Sequence, residues 1–271
     1  MVWRYEMNKL LKKILSGLHQ HNDCDNFALA VYGLDQNIHY DALIIAPSWK
    51  PEKVFLQSEA QIQLMRQGPY YAGYEIHVDG FKIGYIQTAA CAGNVVDCVL
   101  SVLPELTPDK IFFIGAVGAL KTDMQIGDIL VPQCSVAGDG SSLYLYDRVD
   151  AKNFRKQIDQ DPNVNQSLIE TGKKLGVQIK EKVVYCTDSI VCEYLHLEDI
   201  LSLGCDAIEM ETAAFLRCME LLNKKADVIL CVSDNSASGI SLVGRNDEDS
   251  EKFHRSREQY FAELILARLR G

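Results

Sequence analysis

Short apolar runs, each stopped by a glycine, a proline or an acid and separated by stretches with helical spacing, restrict this 271-residue chain more than any other feature. "DALIIAP" (41–47), "KIFFIGAVGAL" (110–120), "IGDILVPQ" (126–133), "IKEKVVYCTDS" (179–189) and "ADVILCVSD" (226–234) read as buried strands. "YEIHVDGFKIGYIQT" (74–88) alternates about Asp79-Gly80, a hairpin signal. "NVVDCVLSVL" (94–103), "VNQSLIETGKKLGV" (164–177) and residues 248–270 carry helical spacing, and "AIEMETAAFLRCMELLNK" (207–224) begins as a strand and continues as a helix. Strands alternating with helices predict an α/β fold: a single domain with a central mixed, largely parallel β-sheet flanked by helices. Pro132 is expected to end its strand, and residues 137–162 to form a polar loop. Residues 1–40 read as an N-terminal helical extension, with Leu10, Leu11, Ile14, Leu15 and Leu18 on one face before "HNDCDN" breaks it. Residues 41–271 form the α/β domain.

The formal charge of −10, from 27 basic and 37 acidic residues, argues against a nucleic-acid partner, which needs a basic face. Nine cysteines without a Cys-x-x-Cys pair point to free thiols, a cytoplasmic setting and no metal. No apolar stretch approaches membrane-spanning length, and the first 20 residues hold no signal-peptide core, so no membrane partner is expected. Gly115 and Gly118 are spaced G-x-x-G, without the third glycine and the ribose-binding acid of a dinucleotide fingerprint, and no cofactor is expected.

Three strand ends are candidates for chemistry. Gly115 and Gly118 in "FFIGAVGAL" let backbone approach a ligand, or serve close strand packing. Glu209 and Glu211 flank Met210 at a strand-to-helix junction, where an acid caps the helix or accepts bonds from a diol. Asp234 in "CVSDNSASG" is a cap, or a partly buried carboxyl with a raised pKa fit for general acid work.

Together these segments resemble the nucleoside phosphorylase and nucleosidase superfamily, the group of purine nucleoside phosphorylase, uridine phosphorylase and methylthioadenosine nucleosidase. "FIGAVGALKTDMQIGDILVP" resembles its glycine-rich strand and following Gly-Asp strand. "AIEMETAAF" is close to its Val-Glu-Met-Glu signature, "CVSDNSASG" to its Ser-Asp element, and "ALIIAPSWKPEKV" stands where its first strand and phosphate loop fall. The resemblance spans roughly residues 41–268 and implies an enzyme that cleaves the N-glycosidic bond of a nucleoside. It implies Asp234 as the general acid toward the leaving base, Glu211 on the ribose hydroxyls, and Met210 and Cys91 beside the sugar. It places Ile190, Val191 and Ser233 near the base. It also implies a homodimer or homohexamer.

The phosphate site departs from the family pattern. The Gly-Asp-Pro loop reads "APSWKP", and the arginine and serine of the glycine-rich strand are Phe113 and Ala116. Lys50, Lys53 or Arg245 would have to compensate beside Gly115 and Ala116, or stand as surface charges. Hydrolysis, with Glu52 activating water, and phosphorolysis with inorganic phosphate held by unfamiliar groups are both open, with weak or absent phosphate dependence expected. The interval "CEYLHLEDILSLGCD" lacks the Gln-x-Arg element of uridine-cleaving members, which favours a purine base. The alternative is a nucleoside-binding or storage protein that kept the fold and lost catalysis.

Overall fold

The computed structural model describes residues 2–21, 24, 26–242 and 245–271, with the side chains of residues 2–8 left out. The break expected at 21–26 lies partly outside the described residues. The strands are β1 (Ala42–Pro47), β2 (Gln61–Gln67), β3 (Tyr71–Val78), β4 (Phe81–Thr88), β5 (Lys110–Ala119), β6 (Ile129–Gly138), β7 (Lys156–Asp159), β8 (Ile179–Thr187), β9 (Ala207–Glu209) and β10 (Asp227–Asn235). The α-helices are α1 (Val2–His21), α2 (Pro51–Val54), α3 (Ala92–Val102), α4 (Pro162–Lys174), α5 (Leu197–Ser202), α6 (Thr212–Leu222) and α7 (Asp247–Arg270).

The central sheet is mixed, as expected, and its pairings close a ring. β5 pairs with β10, β10 with β6, β6 with β8, β8 with β9, and β9 returns to β5. From this barrel β1, β4, β3 and β2 extend in order. The parallel pairs are β1–β4, β1–β5, β5–β10, β6–β8 and β8–β9, and the ends of β1, β5, β8 and β10 meet around one cavity. Closure leaves β5 buried along nearly its whole length, while β2 and β7 remain as edge strands.

Local chemistry explains most boundaries. Asp79 (φ 52°) and Gly80 (φ 82°) both take positive φ and make the tight β3–β4 turn. Asp161 caps α4 by accepting from the Asn163 N–H, with Pro162 at the first helical position. Asn246 caps α7, whose first turn holds Asp247, Glu248 and Asp249. On α1, Leu10, Leu11, Ile14, Leu15 and Leu18 are half-buried while Lys9, Lys12, Lys13 and Ser16 are exposed. This helix lies against α3 and α6. Glu105, just past α3, accepts from the Phe27 and Ala28 N–H groups at 2.8 and 2.7 Å, tying the extension to the body.

Two expectations fail here. Pro132 does not end its strand: β6 runs on to Gly138, and a register shift against β8 between Pro132 and Cys134 absorbs the missing donor. The polar stretch after it contains β7, which pairs antiparallel with β6. All nine cysteines are free thiols. Among the described residues, no helix is long and apolar enough to cross a membrane.

Candidate active site

At the rim where strand ends meet, β5 runs between β10 and β9. Gly118 on β5 is paired with Asp234 on one side and with Ile208 on the other. The β10 register skips between Val232 and Asp234, so Ser233 is a bulge residue. Successive strand residues normally face opposite ways; the bulge lets Ser233 and Asp234 line the same cavity. A Cβ on Gly118 would stand 2.8 Å from Asp234 Oδ2, so only glycine leaves the carboxyl its place. Gly115 is less constrained, since a Cβ there would meet nothing nearer than 3.6 Å.

The cavity, about 270 Å³, also takes in Gly115, Ala116, Met210, Glu211, Ile190 and the Pro47–Trp49 turn after β1. It is small for a ligand site and partly open to solvent. A larger hollow of about 690 Å³ lies under α1, where among the described residues Asp97 is the one charged lining group and no catalytic set converges.

Glu209 and Glu211 separate into two roles. Glu209 accepts from the Glu211 and Thr212 N–H groups at 2.7 and 2.8 Å and from Thr212 Oγ1 at 2.7 Å, holding the start of α6. Ser135 Oγ lies 2.8 Å from the same hydroxyl. Glu211 reaches the other way, accepting from the Cys91 N–H at 2.6 Å. Burial raises the pKa of both acids; the Glu211 charge raises Glu209 further, while the Cys91 N–H opposes the rise at Glu211. Burial also raises Asp234, opposed by a 2.6 Å bond from Ser233 Oγ and by the Arg245 charge.

Some residues expected at the site lie off it. Glu52 is exposed in the first turn of α2 and does not line the cavity, so the carboxylate expected to activate water is not there. Lys50 is exposed just before it. Arg245 donates to the Ser233 carbonyl and stacks over Phe253 at 4.7 Å, behind the lining. Val191 points to solvent at 80% exposure, and only its neighbour Ile190 reaches the cavity. Cys91 contributes its N–H, held at φ 106°, rather than a lining side chain. Phe113 packs on Phe215 in the core at 4.8 Å.

Three of the lining residues that sequence reasoning missed stand out. Trp49, in the quoted "APSWKP", is buried against Phe261 at 5.0 Å, and its carbonyl accepts from Tyr85 Oη at 2.9 Å. Thr187 closes β8 at the rim. Glu193, buried in the turn after β8, is raised to about 7 by burial and by the Asp234 charge. An acid inside "SIVCEYL" was its only signal. Among the described lining residues stand four carboxyl groups and no lysine, arginine or histidine.

Residues 60–270 match the family model of the phosphorylase superfamily. A purine nucleoside phosphorylase of DeoD type from Anoxybacillus flavithermus is 24% identical over 173 residues, covering 62% of this chain and 67% of the relative. In fold, uridine phosphorylase from Vibrio fischeri superposes with a TM-score of 0.70 at 16% identity, over 86% of this chain and 94% of the other. The 5′-methylthioadenosine/S-adenosylhomocysteine nucleosidase of Campylobacter jejuni does so at 0.67 and 15% identity, over 86% and 100%. With a rim that gathers a Glu-Met-Glu turn and a bulged Ser-Asp strand end beside a glycine-rich strand, the chain belongs to the phosphorylase superfamily.

Proposed function

We propose that this enzyme cleaves the N-glycosidic bond of a purine-type nucleoside and depends little or not at all on phosphate. The observation that carries the reading is that Glu211 and Asp234 open into one shared cavity of about 270 Å³. The ribosyl group gains positive charge as the bond to the base breaks. Glu211, fixed by the Cys91 N–H, accepts from the ribose hydroxyls and favours that charge. Burial favours the protonated form of Asp234, which passes its proton to a ring nitrogen as the base takes the bonding electrons. A water oxygen then bonds to the anomeric carbon and releases a proton to solvent, from which Asp234 regains the one it gave to the base. Acid help of this kind is worth about 10²–10⁴ in rate, or roughly 3–5 kcal/mol.

The weak phosphate dependence rests on charge. A phosphate dianion needs charge-assisted donors, and the described lining supplies carboxyl groups instead. The test is release of free base from a nucleoside panel with and without inorganic phosphate. Equal release, with ribose as product, supports the reading. An obligatory phosphate requirement with ribose 1-phosphate as product overturns it, and binding without release under both conditions assigns a binding protein.

A further inference from the structure

Glu193 and Asp234 both line the cavity, and only Asp234 has been given a task. Glu193 comes from the turn after β8 and Asp234 from the bulged end of β10, and both line the same 270 Å³. Glu193 is 8% exposed, yet its carboxylate accepts no hydrogen bond among the described residues. Its oxygens are not among the buried unpartnered atoms and open on the cavity, where a bound ligand would supply the missing partners. Burial and then the Asp234 charge raise Glu193 to about 7, so the protons held by these two acids of one cavity bear on each other. The other charged groups near them are few. Glu209 is held by the N-terminus of α6, Glu211 by Cys91, and Arg245 by the Ser233 carbonyl.

We infer that Glu193 selects the base, pairing with Asp234 to recognise a ring nitrogen flanked by an exocyclic amine, as on the 6-aminopurine edge. A singly protonated pair offers one donor and one acceptor. The 6-amino edge needs that set: a donor toward N7 and an acceptor for the amine. The 6-oxo edge presents two acceptors and needs both acids protonated. The preference is therefore set by how many protons the pair carries. This inference rests on the proposed nucleoside cleavage and names its substrate class.

The test measures kcat/KM for adenosine and inosine against pH, in wild type and in Glu193→Gln. One charge-assisted hydrogen bond is worth about 10–100-fold. Wild type should favour adenosine by about that factor near neutral pH. The preference should shrink in acid, as the pair takes its second proton. Glu193→Gln presents both a donor and an acceptor whatever the pH, so its ratio should fall by about tenfold and lose its pH dependence. If the variant is unstable, the wild-type ratio across pH decides alone. Cleavage of both nucleosides at a ratio that is constant with pH, or that favours inosine at neutral pH, overturns this inference and leaves the proposed function standing. No release of base from either overturns both.

Discussion

Gly118 and Asp234 face each other across the β5–β10 pairing so closely that a single added carbon on the glycine would lie 2.8 Å from Oδ2 of the acid. Gly118→Ala should therefore displace the Asp234 carboxyl without emptying the site. Overpacking costs about 1–3 kcal/mol, so the variant should fold with a lowered melting temperature. Its kcat/KM should fall by about 10²-fold or more, the scale of a lost general acid. Gly115→Ala, whose new carbon would meet only ordinary contacts, should melt close to wild type. Equal thermal losses in the two variants would show that the pairing does not single out Gly118.

Asp234→Asn keeps the shape of the side chain and removes the transferable proton. Its kcat/KM for a purine nucleoside should drop by about 10²–10⁴-fold, while affinity for the free base changes far less. The wild-type rate should also decline as pH rises through the raised range of the acid pair, because the donor is then lost. A flat alkaline limb, or an unaffected asparagine variant, would remove the general acid assignment.

Much of this site was legible because strand ends announce themselves. Glu211 and Asp234 stand where apolar runs stop, and both reach the cavity. The hairpin at Asp79-Gly80 was readable because two positive φ values suit those residue types. Closure of the barrel was not legible: it depends on β9, a three-residue strand too short to carry a periodic pattern. Pro132 misled because a bulge excuses a missing donor, and bulges leave no mark in composition. Glu193 and Val191 lie two residues apart in one turn, and sequence alone does not say which faces inward.

Glu209 and Thr212 form a cap whose role is separable from chemistry. Thr212 Oγ1 donates to Glu209 and lies beside Ser135 Oγ, all in the interior. Thr212→Val deletes the hydroxyl and leaves both partners short of a bond. Urea unfolding should show a loss of about 1–3 kcal/mol with an unchanged slope. Because Glu211 keeps its bond from Cys91, KM should move little. A large rise in KM with full stability would place Thr212 at the ligand rather than in the cap.

Glu193 should also leave a signature in stability. Its folded pKa, about 7, lies above the ordinary value of 4.5, so the folded chain binds the proton more tightly than the unfolded one. Stability from that proton is fully present below the unfolded value and is lost as pH rises through the folded one. Several exposed acids in this chain shift the opposite way, among them Asp123 and Glu248, so the raw pH profile mixes signs. The difference between wild type and Glu193→Gln isolates the group. The glutamine variant should be the more stable protein at mildly alkaline pH, where wild type holds a buried charge. The gap should close as pH falls through about 7 toward 4.5, where both side chains are neutral. Melting temperatures of the two proteins across that range measure it, and a constant gap would mean that Glu193 titrates alike in the folded and unfolded chain.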